Sequence, residues 1–162
     1  MQQAAAPPAE VSDASYEADF VLWSERQARL LREGRLGELD VVHLVEEVEG
    51  VGNSYRDEIE SRLIVLLAHL LKWKYQPGNR SRSWEATLIE QRRRIARVIR
   101  RAPSLRTYPQ EVFADSYLSG RLEAGKETGM DFTLFPTDPP FTLAQVLDLD
   151  FFPVEPDREA RG

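Results

Sequence analysis

The sequence predicts an all-α protein, a compact bundle of four to five helices with a long central helix. Three observations lead to this class. Apolar residues recur at helical intervals in several segments, no segment alternates strictly between apolar and polar residues, and there is no internal repeat. The 162 residues are 42% hydrophobic and 30% charged, enough to bury one core. We expect a single domain over residues 15–153, with a disordered lead-in at 1–14 and a tail at 154–162.

The first two predicted helices lie before residue 52. One covers residues 16–33 and stops at Gly34. The second begins after Asp40, an N-cap candidate, and Gly50 and Gly52 are expected to weaken or break it. The apolar side of the first contains Tyr16, Phe20, Trp23, Leu30 and Leu31, and that of the second contains Val41, Leu44, Val45, Val48 and Val51.

The central helix is predicted over residues 55–75, preceded by a capping box at Ser54–Asp57 and ended by Pro77-Gly78. Its second half is apolar on almost every side, which is typical of the central element of a bundle. Further helices are predicted from Ser83 to Arg101 and over 110–127. A short one follows the capping box that Thr142 and Gln145 form.

A polar stripe flanks the apolar arc of the central helix. Glu58 can pair with Arg62, but His69 and Lys72 have no carboxylate on their own helix. Because an unpaired buried charge is costly, we expect Glu46 or Glu47 to face them. The set Glu46, Glu47, Arg62, His69 and Lys72 is therefore the candidate polar cluster.

Three interpretations of this cluster remain open: an ion-pair network that sets helix register, a ligand pocket, and a metal or catalytic site. For a metal, only weak candidates exist, namely His43, Glu46, Glu47 and His69, since the Glu-x-x-His pairs of diiron bundles are absent. No catalytic residue is assigned.

A second candidate site is a basic helix face. Residues 72–106 hold eleven Lys or Arg against two Glu, a local charge of +9 that leaves −15 for the rest of a chain of net charge −6. Five arginines lie on the side of the helix ending at Arg101 that is opposite its apolar side, and they are Arg93, Arg94, Arg97, Arg100 and Arg101. This face can contact phosphates of a nucleic acid, an acidic protein or a second copy of the chain, or it can simply be solvated.

Other function classes find no support in the sequence. No cysteine is present, no motif activates a serine, and no Walker or dinucleotide glycine pattern occurs, so no cofactor is expected. The N-terminus lacks the features of a secretory signal, and the longest apolar stretch is the nine residues 63–71. We expect a soluble, cytoplasmic protein that does not enter membranes.

The ordered landmarks of the chain resemble the bacterial domain-of-unknown-function family 29. They are YEADFVLW, DVVHLVEEVEGVG, HLLKWKYQP, SWEATLIEQRRRI, APSL and the closing FP…DFFP, over about residues 16–153. The resemblance implies a compact helical domain and no established activity. The positions of this chain that match the family motifs are Asp40, Glu46, Glu47, Glu49, His69, Lys72, Trp73, Trp84, Arg92, Pro103 and Leu105. The resemblance therefore adds Arg92, which is expected on the inner side of its helix, to the candidate polar cluster.

Two hypotheses follow. The first is a non-enzymatic interaction module whose basic face contacts a protein partner or a second copy, with nucleic acid as the alternative occupant. The second is a metal- or ligand-binding protein or enzyme that uses the polar cluster, a concentration of ionisable groups where core is expected.

Overall fold

The computed structural model describes residues 15–154, all of whose regular elements are helical. The predicted lead-in and tail fall on residues outside this range, Val154 excepted. The six α-helices are α1 (Phe20–Arg32), α2 (Val41–Tyr75), α3 (Arg82–Arg101), α4 (Tyr108–Glu111), α5 (Phe113–Thr128) and α6 (Leu143–Leu147). Four 3₁₀ turns lie at Leu36–Glu38, Pro77–Asn79, Pro103–Leu105 and Phe132–Leu134. The all-α class and the long central helix are confirmed.

The central helix is longer than the sequence predicts, because α2 continues through Gly50 and Gly52. The predicted break is wrong, and Ser54 does not begin a helix. Neither glycine has a positive φ, and a Cβ at Gly50 would meet nothing within 4 Å. No crowded contact or left-handed turn forces the backbone out of the helix there. A helical glycine costs about 1 kcal/mol, which interrupts a helix only when something else competes for the segment.

The chain divides into two compact units, the first ending at Val51 and the second beginning at Gly52. In the first unit, α1 begins at its N-cap Asp19 and ends before Gly34, whose φ of 70° is left-handed, as expected at a helix C-terminus. The predicted apolar side of α1 is only partly buried. Trp23 and Leu30 are buried, whereas Phe20 and Leu31 are about half exposed.

The second unit holds the main core. The last part of α2 is buried at Ile59, Leu63, Leu66, Leu67, Ala68, Leu70 and Leu71. Leu88 and Ile95 of α3, Tyr117 and Ala124 of α5, and Val146 of α6 pack against this segment. The prediction that the second half of this helix is the central element is thus confirmed.

The helix ends around this core follow local sequence signals. Ser81, rather than the predicted Ser83, caps α3 by accepting a hydrogen bond from the backbone N–H of Trp84. The predicted helix over 110–127 is divided between α4 and α5. The predicted capping box of Thr142 and Gln145 is confirmed, since each side chain bonds to the backbone of the other. It fixes the start of α6, which lies beside the site described next.

Candidate basic groove and polar clusters

The basic face predicted on α3 is exposed along its whole length. Arg94 pairs with Glu90 one turn earlier on the same helix. The other four arginines form no hydrogen bond or salt bridge to another side chain among residues 15–154; they are Arg93, Arg97, Arg100 and Arg101. Their positive charge is therefore not neutralised by pairing within the described part of the chain.

A groove of about 430 Å³ runs along this face. Arg93, Arg97 and Arg100 line it from α3, and Leu147 and Leu149 line it from the end of α6 and the segment that follows. We call this the arginine groove. Leu149 is 46% exposed, so the groove combines a cationic side with an accessible apolar side. The periodicity of α3 indicated the arginines, whereas the leucines were missed because their position depends on how the C-terminal segment folds back.

Arg92 also lines the groove, yet it is only 2% exposed. Its Nε donates a hydrogen bond to the carbonyl oxygen of Val146 and its Nη2 to that of Phe151, both at 2.8 Å. Burial lowers the pKa of Arg92, although the nearby Asp148 carboxylate opposes that change. Nη1 is buried without a partner. Arg92 thus holds the C-terminal segment against α3 and shapes one wall of the groove.

Lys72 has a different partner from the one expected. Its ammonium lies 2.5 Å from the Glu127 carboxylate of α5 and 4.6 Å from the ring centroid of Trp84. The expectation that Glu46 or Glu47 would pair with Lys72 is therefore wrong. Sequence reasoning missed Glu127 because it lies 55 residues away, on a helix whose packing the periodicity of α2 cannot specify.

His69 does not join this ion pair directly. Its Nδ1–H donates a hydrogen bond of 2.9 Å to the carbonyl oxygen of Val65. Burial, with the positive charge of Lys72 as a smaller cause, lowers the pKa of His69. A neutral imidazole bonded to its own helix is typical of a packing histidine.

Arg62 is confirmed as the partner of Glu58, at 2.8 Å, and it also donates a hydrogen bond to Gln91 of α3. Together with the contacts of Lys72 and Arg92, these bonds show separate interactions rather than one polar pocket. The candidate cluster is not assembled around His69 in the way that the sequence suggested.

The first unit contains a polar cluster of its own. Asp40 accepts hydrogen bonds from the indole of Trp23 at 3.0 Å and from Nδ1–H of His43 at 2.7 Å. It also accepts a longer bond, of 3.4 Å, from the backbone N–H of His43, so it caps α2 as predicted. The buried side chain of Gln27 accepts a bond from the Asp40 backbone at 2.8 Å. These contacts fasten α1 to the start of α2.

Tyr16 completes this cluster. Its ring stacks on His43 with 4.1 Å between centroids, and its hydroxyl donates a hydrogen bond of 2.5 Å to Glu47. That bond and the nearby acidic groups raise the pKa of Tyr16 to about 12. The Asp40 carboxylate raises the pKa of His43, and Glu17, 3.5 Å from Nε2, acts in the same direction. The sequence placed Tyr16 on the apolar side of the helix predicted over residues 16–33 and gave no signal of this role, but Tyr16 lies in a turn before α1.

The weak metal candidates do not come together as a ligand set. Among residues 15–154, no group of three or more His, Asp or Glu side chains has the geometry to hold a metal ion. His43 and Glu47 each contact Tyr16, and His69 bonds to its own helix. Glu46 has an exposed side chain.

The fold and these sites define a helical protein with a cationic groove on its surface. Residues 15–152 match the family model described as "Domain of unknown function DUF29". The chain therefore belongs to this family, which confirms the resemblance seen in the sequence. No curated protein matches the chain, and no solved structure does. In the part of the chain that the structure describes, no helix is long and apolar enough to cross a membrane.

Proposed function

We propose that this protein is a non-enzymatic interaction module that binds an acidic, amphipathic helical segment of a protein partner in the arginine groove. The observation that carries the proposal is four exposed arginines that form no salt bridge with an acidic side chain among residues 15–154. Bacterial cytoplasm is the setting that we propose, from the family resemblance and the absence of cysteine.

The composition of the groove supports a helical peptide as its occupant. Arg93, Arg97 and Arg100 are spaced by four and three residues, so they form one row along α3. Guanidinium groups bind carboxylates with two parallel hydrogen bonds, and Leu147 and Leu149 offer apolar contact beside them. An acidic amphipathic helix supplies carboxylates and aliphatic side chains at the same intervals.

A nucleic acid fits the same arginines less well. Single-stranded nucleic acids bind to basic surfaces that also expose aromatic rings for base stacking. Trp84, the aromatic residue at the start of α3, is half-buried and lies against the Lys72 ammonium. The apolar wall of the groove consists of leucines, which favours a peptide.

The test is fluorescence anisotropy with a labelled helical peptide carrying Glu and Leu in alternating helical turns, and a scrambled peptide of the same composition as control. We expect binding that weakens as salt rises, because the contacts are between partly exposed charges. Arg97→Glu should weaken binding about tenfold, since it replaces an attraction of roughly 0.7 kcal/mol by a repulsion of similar size.

Arg106→Glu is the matched control, because Arg106 is exposed and does not line the groove, and the variant changes net charge equally. Equal weakening by both substitutions would show that only net charge matters, and would overturn the proposal. Labelled single- and double-stranded DNA and RNA are titrated in parallel. Tight, salt-dependent binding of nucleic acid with no binding of the peptide would replace the protein partner by a nucleic acid.

A further inference from the structure

The N-terminal half of α2 carries an apolar row that the first unit does not cover. The sequence placed these residues on the apolar side of a helix, yet Val41, Val45, Val48 and Val51 are between 49% and 71% exposed. With the half-buried Leu44 they form what we call the valine stripe. A groove of about 430 Å³ follows the stripe, and Leu39 and Glu49 complete its lining.

An exposed apolar row of this length needs an explanation. Single exposed valines are ordinary on protein surfaces, but contiguous apolar patches mark sites of association. Every residue of the stripe except Leu44 is exposed, and the cluster of Tyr16, Asp40 and His43 occupies a different side of the same helix. The stripe is therefore an exposed surface that another molecule can contact.

The charges around the stripe decide which kind of molecule fits. Residues 36–55 contain five acidic residues and no Lys or Arg. Glu49 lines the groove with the valines, and neither Glu46 nor Glu49 forms a hydrogen bond or salt bridge with another side chain among residues 15–154. Two stripes packed against each other would bring these like charges together, which is unfavourable. The complementary surface is one that is both basic and apolar.

The same chain carries such a surface in the arginine groove. Val41, Leu44, Val45 and Val48 follow the spacing i, i+3, i+4, i+7, and so do Arg93, Ala96, Arg97 and Arg100. The geometry points to a second copy of this chain as a partner, with the valine stripe of one copy in the arginine groove of the other. This inference rests on the proposed function and names the acidic helix that the groove binds.

The size of the contact sets the affinity that we expect for the dimer. The stripe and its groove together provide seven residues and the arginine groove provides another seven, so a dimer that uses both surfaces twice engages fourteen residues of each copy. Stable interfaces engage roughly 20–30 residues a side. We therefore expect a weak dimer with a Kd on the order of 10 µM, and chain-like association if the two contacts do not close.

The test uses two variants of the full chain, each lacking one surface. The groove variant is Arg97→Glu/Arg100→Glu, and the stripe variant is Val45→Ser/Val48→Ser, which removes the apolar contact without adding carboxylates that the arginines would attract. All four positions are exposed, and circular dichroism will verify that both variants remain folded. Sedimentation equilibrium from about 1 to 300 µM should give a rising mass for the unmodified protein and a monomer for each variant alone.

Mixing the two variants is the decisive step. The mixture still contains one intact stripe and one intact groove, so an equimolar sample should regain a 1:1 dimer. Its Kd should lie at least tenfold above that of the unmodified protein, since one of two contacts remains. Val42→Ser and Arg106→Glu are the controls, because both positions are exposed outside the two grooves, and each should associate like the unmodified protein.

Every other outcome overturns the inference. A groove variant that still dimerises would show that stripes pair with each other, and a mixture that stays monomeric would show that stripe and groove do not meet. If the unmodified protein is a monomer up to about 300 µM but binds the acidic peptide, the second copy is wrong and the proposed function stands. If the unmodified protein binds neither a second copy nor the acidic peptide, both this inference and the proposed function are wrong.

Discussion

Replacing Arg92 by Met should destabilise the protein substantially, although it removes a charge from the interior. Arg92 is 2% exposed, and its guanidinium donates hydrogen bonds to the carbonyl oxygens of Val146 and Phe151. Met has a similar length and no donor, so the substitution leaves the apolar contacts of the side chain largely in place. The carbonyl oxygens then lose the partners that hold the C-terminal segment to α3.

The magnitude follows from three contributions. Each hydrogen bond from a charged donor contributes about 1.5–3 kcal/mol, so two of them contribute about 3–6 kcal/mol. Nη1 is buried without a partner, and removing such a donor recovers about 1–3 kcal/mol. At the middle of each range, a loss of about 4.5 kcal/mol exceeds a recovery of about 2 kcal/mol, so the free energy of unfolding should fall by about 2–3 kcal/mol. For a chain of this size that corresponds to a Tm about 4–12 °C lower.

The assay is urea denaturation followed by circular dichroism, with hydrogen exchange to locate the change. Arg93→Met is the matched control, because the neighbouring Arg93 is exposed and makes no hydrogen bond to another side chain, and we expect a change within about 0.5 kcal/mol. Arg92→Met should also accelerate amide exchange in residues 146–151. If Arg92→Met unfolds at the same urea concentration as Arg93→Met, the assignment of Arg92 as the anchor of this segment is wrong.

Two further predictions concern a helix crossing and a titration. A Cβ at Gly120 would lie 3.0 Å from Cβ of Leu67 and 3.3 Å from α2 backbone atoms, so Gly120→Ala should lower the free energy of unfolding by about 1–2 kcal/mol. Gly50 has open space around it, so Gly50→Ala should raise the free energy of unfolding by up to about 1 kcal/mol. Equal Tm changes for the two would show that α5 and α2 are not in close contact. The NMR titration of the chain's two histidines should give a pKa above 6.5 for His43 and below 6.5 for His69. Because the pKa of His43 is raised on folding, its contribution to stability is complete below pH 6.5 and is lost as pH rises through the folded-state pKa. Asp40→Asn should remove this contribution, because the Asp40 carboxylate is what raises the pKa. A His43 pKa at or below 6.5 in the unmodified protein would contradict the Asp40 contact.

The arginine groove and the valine stripe, on which the proposals about function rest, could be predicted from the sequence to different extents. The arginine row could be read from periodicity alone, since a helix fixes which residues share a side. Its leucine wall could not, because Leu147 and Leu149 reach the groove only through the bonds of Arg92 to the segment around them. The valine stripe was correctly grouped, but the same pattern describes a helix side packed in a core and one left for a partner.

By itself, the sequence determined the helical class, the central apolar segment of α2, the cap of α6 and the pairing of Glu58 with Arg62. Each depends on residues within a few positions of one another, where helix geometry leaves few choices. Tertiary structure alone decided the rest. It gave Lys72 its partner Glu127 and it left the valines exposed. Contacts between residues distant in sequence depend on how whole elements pack, and local periodicity carries no information about that packing.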